Sequence, residues 1–118
     1  MTVCLHHNDL NGRCSGSLVE RYSKEPGRYL AVEMDYTKEV PFNSIEPNET
    51  VYIVDFSLSP ENMTKLLEIT KNVIWIDHHK TAIENLKDFD LKGLREIGYS
   101  GCELTYRYFS YDINKDVS

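Results

Sequence analysis

The sequence of 118 residues lacks a long apolar run. A membrane-spanning helix needs roughly 18 or more consecutive apolar residues, and no such stretch occurs. The chain also does not begin with the basic and then apolar segment of a secretory signal. We therefore expect a cytoplasmic protein with no membrane partner. The length suits a single domain over residues 1–118, because two domains of ordinary size need a longer chain.

The sequence also lacks a surplus of basic residues. It has 13 Lys and Arg against 19 Asp and Glu, which gives a formal net charge of −6 at pH 7. Proteins that bind duplex DNA obtain much of their affinity from a broad basic surface. We therefore expect no long duplex DNA partner, and any nucleic-acid substrate should be short or held through a metal ion.

Cysteine is scarce and unpaired in the sequence. Cys4, Cys14 and Cys102 are odd in number and widely spaced, and no CxxC pair occurs. This pattern argues against a disulfide framework and against a structural zinc site. We expect three buried or half-buried thiols.

Apolar β-type segments alternate with helical patterns along the chain. Strands are predicted at residues 3–5, 29–34, 51–54 and 73–76, with a weaker one at 94–97. Helices are predicted at residues 14–22, stopped by Pro26-Gly27, from the cap at Ser59-Pro60, at 81–86, and from the capping box that begins at Ser100. Such alternation predicts the α/β class, with a mostly parallel sheet of about five strands and helices on both faces.

Polar clusters follow three of the predicted strands. They are His6-His7-Asn8-Asp9, Asp55-Phe56-Ser57 and Asp77-His78-His79-Lys80. The carboxyl ends of parallel strands lie on one edge of the sheet, where open α/β folds bind ligands. We expect this edge to gather His7, Asp9, Asp55, Asp77, His78 and His79, whereas His6 should point away from His7.

Carboxylates and imidazoles in one place suit a divalent transition metal such as Mn²⁺. Two ions need a bridging carboxylate, for which Asp55 is the best candidate, and paired ions activate water for phosphoester hydrolysis. Simpler interpretations stay open for single residues. Asp55 alone would more often be a turn cap, and His78-His79 alone a polar turn. The tyrosines from Tyr99 onward suit packing better than base stacking.

Three motifs in this order resemble the first three motifs of the DHH phosphoesterases. They are His7-Asn8-Asp9-Leu10-Asn11-Gly12, Val54-Asp55-Phe56-Ser57 and Ile76-Asp77-His78-His79-Lys80-Thr81, and the resemblance covers residues 3–108. It implies a DHH-type phosphoesterase domain with two Mn²⁺ ions, which acts on nucleotides or short single-stranded oligonucleotides as RecJ-like exonucleases and nanoRNases do.

The resemblance also implies roles for single residues. His7, Asp9 and Asp55 look like ligands of the first metal, with Asp55 as the bridge, while Asn11 and His78 face the second metal. Asp77 would orient a neighbour or help to ligate, and His79 would contact the scissile phosphate. Gly12 and Lys80 are further candidate contacts to the substrate. For Gly12 a simple tight turn is an equally good account.

Two departures from the family pattern affect the second metal. Asn11 stands where the family usually has Asp, and the sequence reaches Ser118 before a convincing fourth-motif Asp or a second domain. Asp112 is a poor substitute because no strand end holds it. We therefore expect a domain incomplete at its C-terminus, with a weakened second site. A catalytically weakened or inactive DHH-fold module that binds or regulates is the alternative, and a purely structural α/β domain is a weaker third possibility.

Overall fold

A computed structural model describes residues 2–23 and 28–117, with side chains described as far as Ser110. Within these residues five strands alternate with helices. The strands are β1 (Thr2–His7), β2 (Tyr29–Met34), β3 (Thr50–Val54), β4 (Val73–Asp77) and β5 (Lys92–Arg95). The α-helices are α1 (Leu10–Tyr22), α2 (Pro60–Ile69), α3 (Lys80–Asn85) and α4 (Gly101–Val117), and a short 3₁₀-helix lies at Phe42–Ser44.

The strands form one all-parallel sheet in the order β2-β1-β3-β4-β5. This confirms the α/β class predicted from the sequence. Strands β1, β3 and β4 are buried along almost their whole length, as their apolar runs at residues 3–5, 51–54 and 73–76 require in a sheet covered on both faces. The chain proceeds outward from β1 to β2 on one side and to β3 on the other, so the topological switch point lies between β1 and β3.

Each face of the sheet carries its own apolar core. Helices α1 and α4 cover one face, where the buried residues are Cys4, Val19, Tyr52, Val54, Ile76, Leu104 and Phe109. Helices α2 and α3 cover the other face, where the largest fully buried side chains include Leu5, Ile53, Met63, Leu66, Trp75 and Leu86. None of the helices in the described ranges combines the length and the apolar composition that crossing a bilayer requires.

Helix α1 begins earlier than the sequence predicted. Its cap is Asp9, whose Oδ1 accepts a hydrogen bond of 2.8 Å from the Gly12 amide, so Leu10 to Gly12 form the first turn instead of a loop. The caps predicted at Ser59 and Ser100 are confirmed. Strand β5 lies two residues before the predicted position. Pro26-Gly27 and the side chains of residues 111–118 lie outside the described part.

The prediction of three free thiols is wrong for two of the cysteines. A disulfide joins Cys14 of α1 to Cys102 of α4, with their Cα atoms 5.6 Å apart, which is within the usual range for a disulfide. The two helices lie side by side on the same face, which brings together residues 88 positions apart in sequence. Spacing along the chain carries no signal for such a pairing. Cys4 is a free buried thiol as expected, and burial raises its pKa to about 12.

Candidate metal centre

Two groups of possible metal ligands lie at the carboxyl edge of the sheet. One group contains His7, Asp9 and Asp55, and the other contains Asp77, His78 and His79. Within each group the candidate ligand atoms lie within 4.8 Å of one another. The groups meet where Nε2 of His78 lies 2.9 Å from Oδ1 of Asp55. All six residues that the sequence predicted to converge therefore lie at one edge, beside the switch point between β1 and β3.

The first group is built around the end of β1 and the start of α1. Nδ1 of His7 lies 2.8 Å from Oδ2 of Asp9, while Oδ1 of Asp9 caps α1. The hydrogen bond from the Gly12 amide lowers the pKa of Asp9, and His7 adds to this effect. Asp9 is therefore an ionised carboxylate held in place by the helix that it caps.

Asp55 directly follows β3 and has an unusual backbone conformation. Its φ of 53° lies in the left-handed region, which aspartate tolerates better than most residues, and its side chain is buried. Burial raises the pKa of Asp55, and the nearby charge of Asp9 raises it further, against the effect of the hydrogen bond with His78. Backbone strain of this kind concentrates at functional sites. The pKa of Asp9 is therefore lowered while that of the nearby Asp55 is raised. A cation between the two carboxylates would relieve their repulsion.

Two contacts fix the position of Asp55. The indole Nε1 of Trp75 donates a 2.9 Å hydrogen bond to the carbonyl of Phe56, which holds the segment after β3 against β4. On the other side, a Cβ added at Gly101 would lie 2.5 Å from Cβ and 2.6 Å from Cγ of Asp55. The first residue of α4 must therefore be glycine. Sequence reasoning did not connect Gly101 with the site, although a poor helix former at the start of a capped helix is a recognisable signal.

The second group is organised by Asp77, which is fully buried. Its Oδ1 accepts hydrogen bonds from the His78 amide at 2.8 Å and from Nδ1 of His79 at 2.7 Å. Its Oδ2 is buried and has no hydrogen-bond partner among the described residues. Burial raises the pKa of Asp77, against the effect of the charge on His79. A buried carboxylate oxygen without a partner requires a proton or a cation.

The remaining predicted site residues lie nearby but are less closely involved. Asn11 is exposed in the first turn of α1, and Lys80 is exposed at the start of α3. The amide of Gly12 is already bonded to Asp9, so a phosphate contact from it stays a prediction. His6 is buried and packs against Gly16, away from the two groups, as expected from the alternation of side chains along β1.

The residues present fit a divalent metal ion. The donor set consists of three carboxylates and three imidazoles, which suits Mn²⁺ and related ions better than a sulfur-preferring metal. The unpartnered Oδ2 of Asp77 and the close approach of Asp9 to Asp55 are both unfavourable without a positive charge. The fold and site together define a doubly wound α/β protein with a candidate metal centre at its switch point.

Comparison with known proteins agrees with this fold. An uncharacterized protein from Helicobacter pylori G27 has a similar structure, with a TM-score of 0.68 and 14% sequence identity. The similarity covers 94% of this chain and 36% of that protein, so this chain spans little more than a third of its length. At this identity the likeness shows the fold alone. No protein-family model and no curated protein matches the sequence.

Proposed function

We propose that the chain is a manganese-dependent phosphoesterase domain of the DHH type, which hydrolyses phosphoesters of nucleotides or short single-stranded oligonucleotides. The observation that carries the proposal is the junction of the two ligand groups through Asp55 and His78, 2.9 Å apart. Asp55 belongs to the group with His7 and Asp9 and contacts His78 of the other group. A pair of metal ions bridged by one carboxylate requires such an arrangement.

Electrostatics favour a cation before any phosphate binds. Asp9, Asp55 and Asp77 lie within one small region, so their charges would repel an anionic substrate. His7, Asp9 and Asp55 would hold one Mn²⁺, and His78 with Asp55 and Asp77 would hold the second. The bound metal supplies an activated water and neutralises phosphoryl oxygens.

The chain itself supplies orientation and charge stabilisation. Because the Asp77 carboxylate accepts a hydrogen bond from Nδ1 of His79, the imidazole ring is held with Nε2 as its remaining polar atom. His79 is exposed at the edge of the sheet, and its ring, when it carries a proton on both nitrogens, would donate a hydrogen bond from Nε2 to a phosphoryl oxygen. This contact would stabilise the negative charge that develops during hydrolysis. Lys80, exposed beside it, adds a positive charge for the substrate.

The test is turnover that depends on both the metal and Asp55. The protein is incubated with Mn²⁺ and bis(p-nitrophenyl) phosphate, adenosine bisphosphate or short oligonucleotides. We expect hydrolysis with Mn²⁺, none with EDTA, and only background hydrolysis by Asp55→Asn. The control is Asp88→Asn, which removes an exposed carboxylate outside both ligand groups and should leave the rate unchanged. Lack of any turnover that requires Mn²⁺ and Asp55 would refute the proposal for this chain.

A second candidate function is a binding or regulatory module with the same fold but weakened hydrolysis. The observation that favours it is Asn11, a neutral and exposed residue where the DHH motif usually has Asp. A neutral amide oxygen is a weaker ligand for a hard cation than a carboxylate. Calorimetric titration with Mn²⁺ would then show one site instead of two, and Asn11→Asp alone would not restore turnover. Two tight sites together with turnover would reject this alternative.

A further inference from the structure

An aromatic stack lies beside the first ligand group. The ring of Tyr36, in the turn after β2, stacks on the ring of Phe56 with a centroid distance of 4.7 Å and an interplanar angle of 28°. Phe56 in turn stacks on His7 at 6.2 Å and 17°, and Tyr36 lies 5.8 Å from His7. The stack therefore reaches from a candidate metal ligand to the protein surface.

The outermost ring of the stack is open to solvent. Phe56 is buried, with 3% exposure, whereas Tyr36 is 62% exposed and is among the few large apolar side chains that are exposed in the described ranges. One face of the Tyr36 ring lies on Phe56, while the residue as a whole is largely exposed. Part of the ring is therefore accessible from solvent.

The polar end of Tyr36 faces the candidate metal centre. Ser57, two residues beyond Asp55, lies close enough to the Tyr36 hydroxyl to lower its pKa. Partial burial raises the pKa of Tyr36, and the charges of Asp77 and Asp55 contribute, which shows that both carboxylates are near the phenol. Phe56 supports one face of the ring, and Ser57 lies beside its hydroxyl.

We propose that Tyr36 is a specificity-determining residue that stacks on the nucleobase of a substrate whose phosphate lies at the candidate metal centre. The inference rests on the proposed function and narrows its substrate class to esters that carry a base. A rigid aromatic face accepts any base because every base has a π-face, so the stacking selects nucleotides over simple phosphoesters without selecting a sequence. The formal net charge of −6 disfavours binding along a long phosphate backbone, which also fits a short ligand held by one base.

The experiment measures binding by calorimetry in the presence of Mn²⁺, with AMP as the probe and ribose 5-phosphate as its base-free counterpart. Tyr36→Leu should weaken AMP binding about 5- to 150-fold, the loss that corresponds to stacking on one base, and should leave ribose 5-phosphate binding unchanged. Tyr36→Phe keeps the ring and should retain most of the AMP affinity. Tyr106→Leu is the matched control, because it removes another exposed tyrosine, which lies on α4.

The outcomes separate this inference from the proposed function. AMP binding that depends on Tyr36 in a protein without turnover would support the stacking site while refuting hydrolysis. Turnover together with equal loss of AMP and ribose 5-phosphate binding in Tyr36→Leu would overturn the stacking site alone. Failure of the wild-type protein to bind AMP more tightly than ribose 5-phosphate would overturn it as well.

Discussion

Replacing Gly101 by alanine tests how the fold positions the candidate bridging ligand. The added Cβ would lie 2.5 Å from Cβ and 2.6 Å from Cγ of Asp55, whereas carbon atoms normally approach to about 3.5–4.0 Å. One of the two residues must therefore move by about 1 Å. Helix α4 cannot easily retreat, because the adjacent Cys102 is bonded to Cys14 of α1. We expect Asp55 to be displaced.

The displacement should reduce metal affinity more than stability. Metal sites tolerate ligand displacements of about 0.2 Å, so a shift of about 1 Å at Asp55 takes the carboxylate out of coordination range. Changes that misplace a ligand indirectly typically cost about 10- to 100-fold in affinity. Alanine is a better helix former than glycine by up to about 1 kcal/mol, which offsets part of the steric cost to folding.

Calorimetric titration with Mn²⁺ measures the effect, and urea unfolding of the metal-free protein measures stability separately. The control is Gly16→Ala, whose added Cβ would lie 2.9 Å from Cδ2 of His6, outside both ligand groups. We expect Gly101→Ala to lose at least about tenfold in Mn²⁺ affinity and Gly16→Ala to retain it. A folded Gly101→Ala protein with wild-type Mn²⁺ affinity would refute the reasoning, as would an equal loss in both variants.

Three further predictions concern single residues and the disulfide. Asp9→Asn should keep the cap of α1 but weaken Mn²⁺ binding. Asp9→Ala should also lower the free energy of unfolding in urea by about 1 kcal/mol. Equal stability losses in the two variants would contradict the capping role. The pKa of Asp77 is raised in the folded state, so folding favours the protonated side chain. This contribution to the free energy of unfolding is fully present below the unfolded-state pKa of about 3.9 and is lost as the pH rises through the folded-state pKa. In EDTA, the stability of the wild type relative to Asp77→Asn should therefore fall as the pH rises above 4, and a pH-independent difference would disprove this. Cys14→Ser should lower the free energy of unfolding by about 4–5 kcal/mol, which is the loop-closure value for 88 residues. Thiol titration of the oxidised wild type should find only Cys4. Three reactive thiols would show that Cys14 and Cys102 are not bonded.

The sequence predicted the fold well because its local signals are strong. Residues 29–34 were placed as a strand with the observed bounds, and Ser59-Pro60 was placed as a helix start, since continuous apolar runs and caps act within a few residues. The start of α1 was placed too late. Asp9 was assigned to a metal site and its second role as the helix cap was missed, although one side chain performs both.

The disulfide and the aromatic stack depend on contacts between distant segments. Cys14 and Cys102 are joined only because α1 and α4 cover the same face of the sheet. A cytoplasmic location was predicted from the sequence, but disulfides are rare in that compartment. A Cys14–Cys102 disulfide that forms in the cell would therefore weigh against that prediction. No pattern in the sequence singled out Tyr36, and only the closeness of β2, β1 and β3 brings its ring onto Phe56.

The sequence by itself determined which residues can form strands and helices, and therefore that polar clusters following three strands meet at one edge. That conclusion needs only the periodicity of apolar residues and the rule that parallel strands end on the same side. The tertiary structure alone decided how those clusters are coupled. The contact of His78 with Asp55, the close approach of Gly101 to the same carboxylate and the unpartnered oxygen of Asp77 arise from packing between elements far apart in the chain. Such contacts depend on the exact distances between backbones, and no local sequence pattern encodes those distances.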